Sequence, residues 1–177
     1  AAAHTGPIFP CDTYECVVAM MRYLLISDKT KATALVVFPE LVLTTFLQLY
    51  YITHPAKLYT YYESEVPISL MSDMFELVRK EKIIISFGYA EKDNGIPFNT
   101  SVYVDSSGNM IGKYRKIHLP GHYEYEPERP FQHLEKRYFT KGNLGFPTFD
   151  TTLGRLGMCI CNDRRWPETY RVLALQG

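Results

Sequence analysis

The sequence holds 177 residues, of which 46% are hydrophobic, and its formal net charge is zero at neutral pH. This length and apolar content are typical of one folded globular domain and exclude a disordered chain. The balanced charge also argues against a general nucleic-acid binder, which needs a basic face. We therefore expect a single soluble domain over residues 1–177 with no nucleic-acid partner.

Cysteine spacing and hydropathy indicate which cellular compartment and which cofactors to expect for this protein. The four cysteines stand at positions 11, 16, 159 and 161, with no CxxC pair and no His/Cys spacing suited to zinc. No apolar run approaches the roughly 20 residues of a membrane span, and no secretory signal opens the chain. We expect reduced thiols, a cytoplasmic protein, no metal, no cofactor and no membrane partner. Because the chain begins with Ala-Ala-Ala and not with Met, its true start is expected to be missing.

The first half of the chain predicts alternating helices and strands. In chain order these are a helix over about 13–27, a strand over 34–38, an irregular tyrosine-rich segment over 49–62, a helix from Pro67 to about Lys82, and a strand over 83–89. The first helix is favoured by a capping-box pattern, in which Asp12 precedes Glu15 by three residues. The strand over 34–38 is apolar throughout, which is typical of a strand covered on both faces.

The second half predicts a hairpin, a long irregular segment and a last strand and helix. These are antiparallel strands over 98–104 and 109–114 joined by the turn 105–108, an irregular segment over 118–150, a strand over 156–160, and a helix from Pro167 to about Gln176. An irregular segment of about 30 residues in a compact domain is usually functional. The order of the elements indicates an α/β layered domain without internal repeats or linkers.

Cys161 is the first candidate functional residue, because it follows the last predicted strand and precedes Pro167 and Glu168. Proline and an acidic residue suit the first turn of a helix. Ligands bind at the carboxyl ends of strands in open α/β sheets, and a nearby cation or helix N-terminus would lower the pKa of the thiol. The alternative is a small buried hydrophobic residue. Cys159, two residues earlier on the same face, is interpreted as structural and is too poorly placed for a disulfide with Cys161.

Two charged residues are further candidates. Glu40 directly follows the strand over 34–38, so it would lie at the same sheet edge as Cys161 if the two strands are parallel; otherwise it is a solvated loop residue. Lys116 lies in a run of cations at the end of the second hairpin strand, and on charge alone such a run is a solvated strand end.

Three motifs in chain order resemble the nitrilase (carbon–nitrogen hydrolase) superfamily. They are Val-Val-Phe-Pro before Glu40, Tyr-Arg-Lys-Ile-His around Lys116, and Ile-Cys-Asn-Asp-Arg-Arg-Trp-Pro-Glu around Cys161. The sequence is similar to that of the N-carbamoyl-D-amino acid amidohydrolase branch of this superfamily over nearly the whole chain. The similarity is weakest at residues 11–31 and 47–64. The resemblance implies a four-layer αββα sandwich. Chains of the family are longer, so we expect a fragment with an incomplete sandwich, lacking much of the first strand and the second half, in a homo-oligomer (a dimer or a tetramer).

The resemblance also implies roles for the site residues. Cys161 would be the nucleophile, Glu40 the general base and Lys116 the electrostatic partner, and physical need agrees because a ureido carbonyl is a poor electrophile. Glu135 would steady the lysine and the base; the alternative is a surface charge. The backbone N–H of Asn162 would help to bind the oxyanion.

The remaining candidates are two histidines and two arginines. His118 and His133 match supporting histidines of the family, and either is also interpretable as a hydrogen-bonded structural residue. Arg164 and Arg165 would bind the substrate carboxylate. The competing expectation is that at least one of them pairs with a nearby acid, Asp163 or Glu168.

The function implied by the resemblance is hydrolysis of an N-carbamoyl-D-amino acid to the D-amino acid, ammonia and carbon dioxide. No metal is needed, and a carbamoyl group would be held on the cysteine. The alternatives are a β-ureidopropionase, an aliphatic amidase, or a truncated homologue acting as a non-catalytic interaction protein. Alkylation by iodoacetamide tests the choice, since a catalytic Cys161 is expected to react at lower pH than Cys11.

Overall fold

The computed structural model describes residues 14–27, 33–66 and 71–177. The helices are Tyr14–Ile26 (α1), Pro55–Tyr59 (α2), Ser72–Glu81 (α3), Glu135–Tyr138 (α4) and Pro167–Ala174 (α5), with 3₁₀ turns at Leu47–Leu49 and Cys161–Arg165. The strands are Leu35–Val37 (β1), Ile84–Asp93 (β2), Ile96–Val104 (β3), Met110–Arg115 (β4), Thr148–Thr151 (β5) and Gly154–Gly157 (β6). The predicted cap at Asp12 and the predicted helix start at Pro67 lie outside the described residues.

The main sheet has four strands in the order β1-β2-β3-β4. β1 runs parallel to β2, and the other two pairs are antiparallel. β2 and β3 are joined by Asn94 and Gly95, whose φ angles of 49° and 83° are left-handed. Such values at both central residues are typical of a tight hairpin turn. The predicted hairpin between β3 and β4 is confirmed, and its turn is closed by the Asp105 carboxylate, which accepts the backbone N–H of Ser107 and of Asn109 at 2.8 Å each.

A layer of two helices covers one face of this sheet. The apolar side chains of α1 recur at helical spacing, and Val17, Met21 and Leu25 are all buried. They share one core with the buried face of α3 and with side chains of β2 and β3, among them Phe87 and Val102. Burying each large apolar side chain stabilises the fold by roughly 1.5–3 kcal/mol, so this core holds the helices against the sheet.

The opposite face of the main sheet carries a smaller cluster and a second, two-stranded sheet. Tyr103 and Tyr114 pack there with Met158 and Ile160. β5 and β6 form the second sheet, and the Phe149 ring lies 5.9 Å from the ring of Tyr103. The predicted α/β class is therefore confirmed, with helices, main sheet and small sheet in succession. None of the helices in the described ranges is long and apolar enough to cross a membrane.

Three sequence-based expectations about the elements are wrong. The strand expected over 156–160 is β6, which ends at Gly157 and pairs with β5 instead of joining the main sheet. The backbone N–H of Ile160 donates to the Asp163 carboxylate at 3.1 Å, so the end of this segment is bonded to the following turn and not to a neighbouring strand. α2 and α4 lie inside segments that were expected to be irregular.

Candidate active site

Glu40 is brought to the sheet edge by a close backbone contact. The Phe38 N–H donates to the Ser86 carbonyl at 2.7 Å and so continues the pairing of β1 with β2. The chain then crosses directly over Gly88, where a Cβ atom would lie only 2.6 Å from the Leu41 nitrogen and 3.1 Å from the Glu40 Cα. Only glycine allows this approach, which sets the Glu40 carboxylate above β2.

Lys116 follows β4 and points its side chain between two carboxylates. The side chain is completely buried, and its Nζ lies 2.7 Å from Glu40 Oε1 and 2.6 Å from Glu135 Oε1. Burial by itself lowers the pKa of Lys116, but the charges of Glu40 and Glu135 outweigh that effect, and the net pKa is raised. Lys116 is thus a permanently charged ammonium, and the solvated strand end considered above is excluded.

Glu135 is completely buried at the start of α4, so it is not a surface charge. Burial, reinforced by the negative charge of Glu40, raises the pKa of Glu135 despite the opposing effects of Lys116 and Asn99. The Asn99 amide donates to Glu40 at 2.6 Å and to Glu135 at 3.0 Å, and so bridges the two carboxylates. The sequence-based prediction missed Asn99; its only signal was an amide side chain in the middle of an otherwise buried strand.

Cys161 lies beside Glu40 at the first position of the 3₁₀ turn. Its φ angle is 46°, a left-handed value that a non-glycine residue adopts at a cost and that is frequent at functional sites. Burial, then the negative charge of Glu40 and a hydrogen bond with it, raise the pKa of the Cys161 thiol, and the opposing charge of Lys116 does not compensate. The expected lowering of this pKa is wrong, because the thiol is partly buried and because two carboxylates face the sulfur along with the single cation.

Asp163 ties the turn of Cys161 to the end of β4. This buried carboxylate accepts hydrogen bonds from the Ile160 N–H at 3.1 Å, the Tyr114 hydroxyl at 2.7 Å and the His118 N–H at 2.9 Å. The His118 Nδ1 lies 2.8 Å from the same carboxylate. Burial, together with Asp163, raises the pKa of Tyr114, so its hydroxyl remains a donor. Sequence reasoning did not assign this linking role to Asp163.

Of the supporting candidates, the side chains of His118 and Asn162 make structural contacts, whereas His133 lies near the charged cluster. The His118 ring stacks on Trp166, with 4.9 Å between ring centres, and the Asn162 amide donates to the His118 carbonyl at 2.9 Å. These contacts fit the structural interpretation of His118. His133 lies nearer the charged cluster, since its Nε2 is 3.5 Å from Glu135 Oε2.

Arg164 and Arg165 extend from the same 3₁₀ turn and are exposed. The expectation that one of them pairs with Asp163 is wrong, because both oxygens of Asp163 are taken by the donors of β4, His118 and Ile160. Within the part of the chain that the structure describes, neither arginine forms an ion pair with a carboxylate, Glu168 included. Two cations that no carboxylate of the described residues pairs with thus lie within four residues of the thiol.

A cavity of about 370 Å³ opens beside the thiol. Its lining includes Glu40, Gly88 and Tyr103 from the main sheet, together with Cys159 and Cys161. Both cysteines are free thiols. Over residues 14–27, 33–66 and 71–177, His, Cys, Asp and Glu side chains form no group of three or more that could hold a metal ion.

Comparison with known proteins places the chain among hydrolases of carbon–nitrogen bonds. It is 31% identical over 177 residues to a protein of Schizosaccharomyces pombe named as a probable nitrilase, covering 94% of this chain and 56% of the relative. It is 34% identical over 104 residues to an N-carbamoylputrescine amidase of Solanum lycopersicum, covering 59% of this chain and 32% of the relative. A crystal structure of a carbon–nitrogen hydrolase from Helicobacter pylori superposes with a TM-score of 0.79 at 27% identity, covering 99% of this chain and 56% of that one.

The chain thus spans about half the length, or less, of these relatives. The sequence model of the carbon-nitrogen hydrolase family matches residues 1–177. This match covers the motifs of Glu40, Lys116 and Cys161, which the fold brings to one sheet edge. The chain belongs to the carbon–nitrogen hydrolase family.

Proposed function

We propose that this protein hydrolyses the carbamoyl carbon–nitrogen bond of N-carbamoyl amino acids, with Cys161 as the nucleophile. One observation carries the proposal: a buried Lys116 lies between Glu40 and Glu135, and Glu40 also contacts the Cys161 thiol. A carboxylate, an ammonium and a thiol in one place supply a base, a positive charge and a nucleophile.

The first half of the reaction forms a carbamoyl-enzyme. Because the pKa of Cys161 is raised, the thiol transfers its proton to Glu40 as the sulfur attacks the carbonyl carbon. Lys116 and the backbone N–H of Asn162 stabilise the negative charge that develops on the carbonyl oxygen. Glu40 then gives its proton to the departing nitrogen, the carbon–nitrogen bond breaks, and the carbonyl carbon stays bonded to sulfur.

The second half returns the enzyme to its starting state. A water molecule attacks the carbonyl carbon that is bonded to the Cys161 sulfur, while Glu40 takes up one of the protons of the water. Collapse of the tetrahedral adduct breaks the carbon–sulfur bond, the proton on Glu40 passes to the leaving thiolate, and the released carbamate breaks down to ammonia and carbon dioxide. Glu135 holds Lys116 in place throughout, and Asn99 holds Glu40, because Glu135 pairs with the ammonium and the Asn99 amide donates to both carboxylates.

The two arginines favour an anionic substrate within this class. Arg164 and Arg165 are exposed near the thiol and lack carboxylate partners within the described residues, so they suit the carboxylate of an N-carbamoyl amino acid. The preference for the D-isomer rests on the likeness of the motifs to the D-carbamoylase branch. The main competitor is a carbamoylated amine, since relatives are named N-carbamoylputrescine amidases.

Turnover of a panel of substrates by the protein and two variants tests the proposal. We expect ammonia release from N-carbamoyl-D-phenylglycine to exceed that from its L-isomer, β-ureidopropionate, N-carbamoylputrescine and acetamide. C161A should lower kcat by roughly 10⁴-fold or more, as removal of a nucleophile does elsewhere. C159A is the matched control and should retain activity, because Cys159 does not contact Glu40 or Lys116 among the described contacts.

The variant R164Q/R165Q separates the candidate substrates. It should raise KM for N-carbamoyl-D-phenylglycine at least about tenfold by removing charge-assisted hydrogen bonds, and leave turnover of neutral amides unchanged. A wild-type protein that prefers N-carbamoylputrescine or simple amides would contradict the substrate assignment. No turnover of any of these substrates would favour the non-catalytic interaction protein. The proposal includes a homo-oligomer, a dimer or a tetramer, which analytical ultracentrifugation measures directly.

A further inference from the structure

A second cavity, of about 450 Å³, lies apart from the thiol, and none of Glu40, Lys116 and Cys161 lines it. Its principal side chains are Tyr59, Tyr62, Lys92, Tyr123, Lys136 and Arg137. An adjoining cavity of about 510 Å³ shares Tyr123, Lys136 and Arg137 with it. Together they form one groove, which we call the tyrosine groove, on the surface formed by α2, β2 and α4.

The floor of the tyrosine groove is flat and apolar. The Tyr62 hydroxyl donates to the Tyr138 carbonyl at 2.7 Å, and the Tyr138 hydroxyl donates to the Tyr50 carbonyl at 2.7 Å. The Tyr138 oxygen also accepts the Ile52 N–H at 2.8 Å. The Tyr138 ring is buried, so the ring carbons offered to a ligand are those of the half-buried Tyr62, whose hydroxyl is used inside the protein, and of the exposed Tyr59 and Tyr123. A planar aromatic group is the natural complement of such rings.

The walls of the groove carry excess positive charge. Lys92, Lys136 and Arg137 line the cavity of about 450 Å³, against a single lining carboxylate, Glu124. The Lys92 Nζ lies 4.0 Å from the centre of the Tyr59 ring. No ion pair to a carboxylate is found for any of the three cations within residues 14–27, 33–66 and 71–177. In a chain of zero net charge, this local excess is a specific feature of the groove.

The tyrosine groove has tyrosine rings on its floor and cations on its walls. This combination is complementary to a single class of ligand. We propose that the tyrosine groove binds a flat organic anion, in which an aromatic body carries a carboxylate or a similar acidic group. The body stacks on Tyr62 and Tyr123, and the acidic group accepts hydrogen bonds from Lys136 and Arg137. Arg137 and Lys136 belong to α4, the helix whose first residue is Glu135, so the ligand occupies the helix that also contacts Lys116. The inference does not depend on the proposed hydrolytic activity.

Equilibrium dialysis of the whole chain with 2-naphthoate tests the inference. Two comparison probes separate the parts of the ligand: 2-naphthalenemethanol keeps the rings without the charge, and inorganic phosphate keeps an anion without the rings. We expect 2-naphthoate to bind at least about tenfold more tightly than either, because each lacks one of the two complementary features.

Charge-neutralising variants locate the site. K136Q/R137Q should weaken 2-naphthoate binding at least about tenfold, and K92Q, on a different wall, should weaken it about fivefold. The matched control R79Q/K80Q removes an adjacent arginine and lysine from the exposed end of α3 and should bind as the wild type does. Far-ultraviolet circular dichroism confirms that each variant is folded, and K92Q keeps the test decisive if the double variant is not.

Several outcomes would overturn the inference. Equal binding of 2-naphthalenemethanol would make the groove a plain apolar pocket. Loss of binding in R164Q/R165Q with retention in K136Q/R137Q would place the probe at the thiol site. Equal weakening in R79Q/K80Q would show a general effect of net charge.

Discussion

The charge balance around Lys116 is the most informative property of single residues in this protein. Two carboxylates, Glu40 and Glu135, face one ammonium, so the cluster carries an excess negative charge before Cys161 ionises. Burial disfavours a thiolate at Cys161, and a thiolate would also add a negative charge beside the two carboxylates, so the pKa of the thiol is raised. In the proposed mechanism Glu40 therefore takes the proton of Cys161 as the sulfur attacks, and the site does not store a thiolate.

Replacing the base should change the titration of the nucleophile in a defined direction. In E40Q the nearest negative charge and its hydrogen bond are lost while Lys116 remains, so the pKa of Cys161 should fall. The rate of alkylation by iodoacetamide measured against pH should show its midpoint at lower pH in E40Q than in the wild type. Subtracting the rates of C161A removes the contribution of the other thiols. An unchanged midpoint would mean that Glu40 does not contact the sulfur in solution.

At the scale of elements, two short backbone features align the site. The 3₁₀ turn of Cys161 is fastened to the end of β4 by Asp163, and the loop of Glu40 is fastened to β2 by its contact with Gly88. Each joins parts of the chain that are far apart in sequence. The positions of Glu40 and Cys161 therefore depend on the contacts of Gly88 and Asp163.

Weakening the hydrogen bonds between Asp163 and the end of β4 should lower the turnover number more than it changes substrate binding. D163N keeps the shape but loses the charge that strengthens four hydrogen bonds, so we expect a loss of about 2 kcal/mol in the free energy of unfolding. The turn should also loosen, lowering kcat more than it changes KM. Y114F, which removes a single donor, should cost about 1 kcal/mol. Urea unfolding and steady-state kinetics measure both effects. A stable D163N with unaltered kcat would show that the link has no role in positioning.

Filling the close approach at position 88 should disturb the base. In G88A the new methyl group meets the backbone at Leu41 and Glu40, which cannot rotate away, so overpacking of about 2 kcal/mol is expected. The loop of Glu40 should move, and hydrolytic activity should fall. Unfolding in urea and turnover of the best substrate measure the two effects. Wild-type values for both would show that the loop tolerates a longer separation from β2.

At the scale of the whole molecule, a buried ionic network holds three strands of the sheet in register. The Arg115 guanidinium donates to both oxygens of Glu91, at 2.7 and 2.9 Å, and Lys113 reaches the same carboxylate at 2.6 Å. Thr100 donates to Glu91 at 2.7 Å. Although burial alone raises the pKa of Glu91, these partners lower it to about 2. Because Arg115 precedes Lys116, the same network holds the strand that carries the buried ammonium.

This network should make the fold sensitive to acid. The pKa of Glu91 is lower in the folded chain than its ordinary value of 4.5, so its stabilising contribution is present above that value and is lost as the pH falls towards 2. E91Q should therefore unfold about 3 kcal/mol more easily at neutral pH and show a weaker acid dependence below pH 4.5. The urea midpoints of the wild type and E91Q between pH 7 and pH 2.5 measure the difference. E76Q, on the exposed face of α3, is the control. Parallel curves for wild type and E91Q would exclude this assignment.

Much of the element order was predictable because it depends on local patterns. The periodicity of α1, the apolar run of β1 and the turn at Asp105–Gly108 are each contained in short stretches of sequence. The strand predicted over 83–89 is confirmed but extends to Asp93, because its polar end is paired with Lys113 and Arg115 of β4. The Asn-Gly turn that follows it is a typical hairpin signal, which the sequence-based prediction missed.

The sequence by itself determined the chemistry that this protein carries: three motifs supply an acid, an amine and a thiol in an order that marks the family. Only the tertiary structure decided how those groups are charged and held. Glu40 and Lys116 are 76 residues apart, and the Asn99 bridge and the Asp163 link also join distant segments. A pKa depends on charges within a few ångströms in space, and no local pattern of sequence specifies which distant charges those are.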